Sequence, residues 1–240
     1  MITDPPILRI RRHFPRPSPD LVAGFAGAST GHLVDAMGGK GALDWRVKPL
    51  VGIEPHFCGV ALTCDAGPGD MLALFAALDA ARPGDVVVAA TDGYRHAAVI
   101  GDVFVGMARN CGVAAIVTDG AMRDVVAVRA AGLPVWCTGV SPNSPSRCGP
   151  GTVGLPIVMS GLTIASGDIV VGDDDGVVVI PADIAAQMLS KLADVRKAEA
   201  TLEEQIKAGL RMLGGVASLI TSDRTEEILE SSPPFKPSDS

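Results

Sequence analysis

The sequence predicts an α/β fold of β/β/α type, with a central mixed sheet, flanking helices and a long C-terminal helix. Three observations predict it. Between residues 59 and 138, short apolar runs of strand length alternate with helical patterns. After a stretch rich in Pro, Ser and Gly at 141–151, closely spaced apolar runs follow, separated by tight-turn residues. From Pro181 a helical pattern continues to about residue 208.

Taken in order, residues 1–17 are rich in Pro and Arg and are expected to form an N-terminal arm. Arg9, Arg11, Arg12 and Arg16 within it read as a solvated run or a subunit contact. Ser18 or Asp20 can cap a first helix and Ser29 or Thr30 a second. Residues 59–65 (GVALTCD) read as a strand. Gly69 and Asp70 open a helical pattern to residue 81, Pro83 and Gly84 break it, and 85–90 (DVVVAA) is a buried strand. The unit repeats: a helix from Gly101 and Asp102 to about 110, a strand at 114–118, a helix at 123–131 and a strand at 133–138. Such alternation implies parallel βαβ crossovers. Three strands are expected near 155–159, 169–171 and 176–180, with a hairpin turn at Asp173, Asp174, Asp175 and Gly176. One α/β domain is expected over 18–209. A C-terminal extension follows over 210–240, with a Pro-containing tail at Ser231, Ser232, Pro233 and Pro234.

Composition narrows the function. The 240 residues are 48% hydrophobic, enough to bury a core. A net charge of −7 argues against a nucleic-acid surface, which needs clustered Lys and Arg. No window reaches the ~18 uninterrupted apolar residues of a membrane helix. Met1 leads into the Pro- and Arg-rich stretch rather than an apolar run, so a cytoplasmic location is expected. Cys58, Cys64, Cys111, Cys137 and Cys148 form no CxxC pair and read as small hydrophobes in a reducing compartment.

One stretch concentrates chemistry. Asp102 lies at a helix start, Asp119 at the end of the next strand, and Arg123 with Asp124 at the following helix start. Ligands of open α/β sheets bind beyond the carboxyl ends of strands, so both helix starts should face one crevice. N–H groups of Asp102, Val103 and Phe104 can hold a carboxylate, and Gly101 lets it approach. Asp102 and Asp124 are hard oxygen ligands suited to Mg²⁺ or Mn²⁺, and Arg123 adds a fixed cation. The same residues also fit two plain helix caps and a surface ion pair. His13, His32, His56 and His96 show no metal-ligand spacing; His96 could line the crevice entrance. The six lysines sit in polar surroundings, which disfavours Schiff-base chemistry.

The Asp102, twenty-residue, Arg123-Asp124 spacing resembles the motif of the metal-dependent 4-hydroxy-4-methyl-2-oxoglutarate aldolases and their relative, regulator of ribonuclease activity A. The resemblance spans about residues 29–209. It includes Pro68, Gly69 and Asp70; Pro83, Gly84, Asp85 and Val86; Gly167 and Asp168; and the run 172–181 (GDDDGVVVIP). It implies a swivelling-type β/β/α domain and a carbon–carbon lyase that releases pyruvate from 4-hydroxy-2-oxo acids. Oxaloacetate would be decarboxylated through the same pyruvate enolate.

By position, the resemblance implies that the backbone of Gly101, Asp102, Val103 and Phe104 holds the pyruvate carboxylate. Arg123 would bind the carbonyl that becomes the enolate oxygen. Asp124 would ligate Mg²⁺ (or Mn²⁺) directly and Asp102 through water. It also implies a homotrimer or homohexamer, in which a glutamate from a neighbour's C-terminal helix completes the site. Glu199 fits best, with Glu203 and Glu204 next. Many lyase relatives carry leucines where this chain has Val103 and Phe104, which bears on the pocket's shape. Relatives lacking the motif tend to be non-catalytic regulators of a ribonuclease. That function, and a lyase acting on an unrelated 2-oxo acid, are the alternatives.

Overall fold

A computed structural model describes residues 6–50 and 56–228. In chain order its elements are β1 (Leu8–Ile10), α1 (Pro19–Ala23), α2 (Thr30–Ala36), β2 (Lys48–Pro49) and β3 (Phe57–Asp65). Next come α3 (Leu72–Ala80), β4 (Asp85–Ala90), β5 (Ala98–Ile100), α4 (Asp102–Asn110), β6 (Ala115–Thr118) and β7 (Ala121–Met122). They are followed by α5 (Val125–Ala131), β8 (Val135–Cys137), β9 (Gly139–Val140), β10 (Gly151–Val153), β11 (Ile157–Met159) and β12 (Leu162–Ile164). Last are β13 (Ile169–Asp173), β14 (Gly176–Ile180), α6 (Ala185–Lys207) and α7 (Gly214–Ile220). The chain divides into two compact units, 1–196 and 197–240.

The first unit is built on a mixed sheet in the order β1-β10-β3-β4-β6-β8-β2, with β13 also paired to β3 and β14 to β13. The pairs β3–β4, β4–β6 and β6–β8 are parallel, as the alternating pattern predicts. Every residue of β4 and β6 is buried, because both sheet faces are covered. Side chains alternate between two cores. Leu62, Cys64, Val87, Ala89 and Ile116 pack with residues of α3, α4 and α5. Ala61, Val86, Val88, Ala115 and Val117 pack with Ile157, Met159 and Ile164 of the β11–β12 hairpin. A third core joins Phe25 and Leu33 to Ile169, Val171, Val178 and Ile180 and to Met188 and Leu192 of α6.

Local signals account for several boundaries. The Ser18 hydroxyl accepts from Leu21 N–H at 3.3 Å and caps α1. The start of α2 is capped from afar: Thr30 donates its N–H and hydroxyl to Asp173, at 2.8 and 2.7 Å. The expected hairpin turn at 173–176 joins β13 to β14, and its Asp173 carboxylate also accepts from Asp175 N–H at 2.9 Å. Burial works against this carboxylate's charge, but the hydrogen bonds from Thr30 and the turn hold it below the usual carboxylate range.

The N-terminal segment is more engaged than its composition suggests. The arm expected over 1–17 is partly built into the sheet: β1 pairs in parallel with β10. Arg16 is not solvated; it forks onto the carboxylate of Asp85, which is 1% exposed, with Nη2 donating at 2.9 Å. Burying a carboxylate without such a partner would be costly. The division between the two compact units falls within α6. A helix, α7, stands inside the expected extension; the tail beyond 228, with Ser231 to Pro234, lies outside the described residues. Among the described residues, no helix is long and apolar enough to cross a membrane.

Candidate functional site

Beyond the carboxyl ends of β4, β6 and β8 the chain forms a second, smaller parallel sheet, ordered β5-β7-β9. Its register explains why distant residues meet. Ile100 pairs with Met122, and Met122 with Val140. The strands end level, so the residues that follow them stand side by side: Gly101, Arg123 and Ser141. Arg123 N–H donates to the Ile100 carbonyl and Ser141 N–H to the Met122 carbonyl, both at 2.9 Å. The twenty residues between Asp102 and Arg123 are thus one helix, one strand of the main sheet and one of the small sheet.

Gly101 caps α4 in an extended conformation open to any residue, φ −145° and ψ −177°. Its requirement is space. A Cβ there would stand 2.7 Å from Asp124 Oδ2 and 3.3 Å from both Cγ and Nε of Arg123. The Asp124 carboxylate therefore lies against the backbone that starts α4. Asp124 itself is left-handed (φ 59°, ψ 38°), a region that Asp enters more readily than most residues. Arg123 Nε stands 3.2 Å from Asp124 Oδ2, with the two side chains 34% and 39% exposed. At the other end of the guanidinium, Nη1 donates to the Ser144 hydroxyl at 2.6 Å. Asp102 is exposed, and its Oδ1 accepts from Val103 N–H at 2.7 Å, so one of the expected backbone donors is already engaged.

These groups open onto a crevice in the first unit. Gly101, Asp102, Val103, Phe104 and Arg123 all line it, and Asp124 abuts it through Gly101. Phe104 is buried and meets Phe75 edge-on, with ring centroids 5.8 Å apart. Val103 is largely exposed. Met71 and Phe75 extend the apolar wall. Arg147, which the sequence did not single out, adds a second cation, 5.7 Å from the Phe75 ring centroid. Its loop is pinned by Asp70, which is 5% exposed and accepts from Ser146 Oγ, Cys148 N–H and Leu72 N–H at 2.7, 2.6 and 2.8 Å. Burial alone would raise the Asp70 carboxyl; these bonds hold it below its ordinary range.

Asp119, the third carboxylate of the stretch, faces elsewhere. It accepts from Thr91 N–H, Thr91 Oγ1 and Gly93 N–H at 2.7, 2.8 and 3.0 Å, clamping the loop after β4. It lines a second polar crevice with Asp44, Arg46, Asp92, Arg95 and Ser160. His96 is exposed with its ring near Tyr94 and does not line the first crevice. Glu199, Glu203 and Glu204 are exposed residues of α6 and belong to the second unit.

Among the described residues, no three His, Cys, Asp or Glu side chains gather into a metal-binding group. Asp102 and Asp124 nonetheless fit a small hard cation that keeps most of its water and takes one or two carboxylates. A softer metal would want His or Cys, and neither lines this crevice.

Comparison with known proteins bears on this arrangement. A family model described as RraA-like, Aldolase/RraA, matches residues 30–179. A Halalkalibacterium halodurans protein named "Putative 4-hydroxy-4-methyl-2-oxoglutarate aldolase" is 35% identical over 193 residues, covering 79% of this chain and 91% of that protein. Streptomyces coelicolor RraAS2, described as an unusual member of the RNase ES inhibitor RraA family, superposes with TM-score 0.71. It is 30% identical over 80% of this chain and 99% of its own. The RNA-processing inhibitor RraA of Thermus thermophilis superposes with TM-score 0.59, at 25% identity over 64% of this chain and 93% of its own.

Proposed function

Since this chain belongs to the RraA-like family, which joins aldolases and RraA proteins, we propose that it is a divalent-metal-dependent lyase releasing pyruvate from 4-hydroxy-2-oxo acids of the 4-hydroxy-4-methyl-2-oxoglutarate type. One observation carries the reading: the Asp124 carboxylate and the Arg123 side chain both press on Gly101, at the start of α4 and the mouth of one crevice. That juxtaposition sets a hard anionic ligand, a planar cation and helix N–H groups around a space for a 2-oxo carboxylate.

The chain's own residues supply most of the chemistry. N–H groups at the start of α4 receive the C1 carboxylate, favoured by the positive end of the helix. Arg123 meets the 2-oxo oxygen with its remaining donors. It acts chiefly on the transition state, because that oxygen becomes negative only as the C3–C4 bond breaks. Asp124, with Asp102 through water, would hold Mg²⁺ or Mn²⁺, whose charge would offset that developing on the same oxygen. Asp102, or Glu199 from a neighbouring copy, orients a water that takes the C4 hydroxyl proton. The bonding pair of C3–C4 passes into the enolate, which is protonated at C3 to give pyruvate. Arg147 and the Phe75–Phe104 wall remain for the substituents at C4. Oxaloacetate enters the same route, losing CO₂ in place of the carbonyl fragment. The shared site asks for a trimer or hexamer. In support, from 193 to 207 α6 has no fully buried residue, and only Val195 and Leu202 are half-buried.

The decisive experiment is an assay of pyruvate release by purified protein, before and after exhaustive chelation. Activity should vanish and return with Mg²⁺ or Mn²⁺; undiminished turnover of the chelated protein sinks the metal mechanism. Asp124→Ala should lose the activity while keeping the fold. The Streptomyces and Thermus neighbours favour a second reading, a ribonuclease regulator acting through a protein surface. Inhibition of a ribonuclease, without pyruvate release at any metal concentration, would select it.

A further inference from the structure

We propose that Ser144 is a positioning residue for Arg123, presented by a loop that Asp70 locks to the far wall of the crevice. The catalytic consequence rests on the lyase reading above; the positioning itself does not.

Arginine carries five donors in a rigid plane at the end of a flexible stem. In this site one corner, Nε, stands 3.2 Å from Asp124 Oδ2, and the opposite corner, Nη1, donates to Ser144 Oγ at 2.6 Å. One contact of 3.2 Å on a side chain 34% exposed leaves the plane free to swing against water. Two contacts at opposite corners fix both its direction and its roll. The donors left over are then held in fixed directions.

Ser144 can do this only if its own loop is fixed, and the loop has no regular structure between Val140 and Gly151 apart from a bridge at Ser146. It is clamped on both sides of Ser144 instead. On one side, Ala98 N–H donates to the Asn143 carbonyl at 2.9 Å, and Asn143 Nδ2 donates to the His96 carbonyl at 2.7 Å. On the other side, Met71 N–H donates to the Ser146 carbonyl at 3.0 Å and Ser146 N–H to the Gly69 carbonyl at 2.8 Å. Asp70 gathers Ser146 Oγ and Cys148 N–H onto one carboxylate oxygen. Ser144 lies two residues from Ser146 and one from Asn143. Its hydroxyl is the end of a chain of contacts running from the start of α3 through the loop to Arg123.

The test separates positioning from general structure. Ser144 is exposed, so Ser144→Ala should fold normally. It should lower kcat about tenfold, the equivalent of one charge-assisted hydrogen bond, with KM changed little. Ser144→Thr, which keeps the hydroxyl, should recover most of that loss. In an Arg123→Lys background Ser144→Ala should add less than about a further twofold, because the group it serves is gone. Equal losses in both backgrounds would overturn the proposal. A readout independent of turnover is the ¹⁵N-resolved signal of the Arg123 guanidinium, identified by its disappearance in Arg123→Lys. Its Nη protons should be resolved in the native protein and in Ser144→Thr, and averaged in Ser144→Ala. Identical guanidinium signals in native and Ser144→Ala protein would overturn it too. A native protein with no lyase activity would remove the lyase reading, while the guanidinium signal still decides the positioning.

Discussion

Two polar crevices lie beyond the carboxyl ends of the same sheet, and each pairs an arginine with an aspartate. In the second crevice the pair is Arg46 with Asp44, joined by Nε and Nη2 to the two carboxylate oxygens at 2.7 Å each. Its other prominent acid, Asp119, spends both oxygens on the loop after β4. In the first crevice Arg123 reaches Asp124 by one longer contact, and Asp102 accepts from its own neighbour. The residue types are alike; the difference is how far the protein uses up its own polar groups. A carboxylate satisfied by its fold stabilises that fold, and one held loosely at a glycine is available to a ligand. Substitutions in the first crevice should therefore alter turnover, and those in the second stability or nothing.

Outside the charged groups themselves, the largest expected effect is at Gly101. Gly101→Ala needs no unusual backbone angle, yet its methyl would meet Asp124 Oδ2 at 2.7 Å. Displacing the carboxylate and Arg123 by part of an ångström should reduce kcat/KM on the order of 10²-fold. Thermal stability should change little, because the displaced groups are part-exposed. A fully active Gly101→Ala protein would show that the first crevice does not carry the chemistry.

Asp119→Ala should do the reverse. It strips the partners from Thr91, which is fully buried, and from Gly93 N–H. An unsatisfied buried donor costs about 1–3 kcal/mol, so unfolding in denaturant should shift by on the order of 2 kcal/mol. Turnover per folded molecule should fall far less than in Gly101→Ala. A stable but inactive Asp119→Ala protein would place the chemistry in the wrong crevice.

The smallest effect is a pH dependence at Asp70. Its folded carboxyl titrates below the unfolded value of about 3.9. Its contribution to stability is therefore complete above that value and is lost as the pH falls through the lower, folded one. Asp70→Asn should flatten this part of the acid-unfolding curve. Asp168, pushed upward by burial despite bonds from Ala165 and Ala182 N–H, works in the opposite sense, its carboxyl taking up a proton above the unfolded value rather than below it. An unchanged acid limb in Asp70→Asn would show that the loop is held by its backbone bonds alone.

Much of the main sheet was legible because its strands are buried on both faces, and apolar runs bounded by Gly and Pro announce such strands. The small sheet was not. Its strands are two or three residues long, too short for any period, and they exist because three chain segments leave the main sheet in register. The β11–β12 hairpin was half seen, since the stretch at 162–164 is as short. In α7 the two leading glycines hide a helix from any propensity argument. At the site, residues of 101–124 stood out because they occupy strand ends and helix starts. Ser144 and Arg147 did not, because they sit in a loop without periodicity whose position is set by Asp70, more than seventy residues earlier in the chain. Asp119 shows the converse: an acid at a strand end looks the same in sequence whether it serves a ligand or a loop.

The parallel pairing of β1 with β10 has a consequence for how the chain is made. Leu8 lies opposite Gly151 and Ile10 opposite Val153, so this strand has no hydrogen-bonding partner until more than a hundred further residues have emerged from a ribosome. Arg16 waits less long, for Asp85. During synthesis β1 therefore cannot add to the sheet edge until β10 has emerged, after β3, β4 and β6. The prolines and arginines of the N-terminal segment suit that wait, since neither composition nor charge favours premature pairing with another nascent strand.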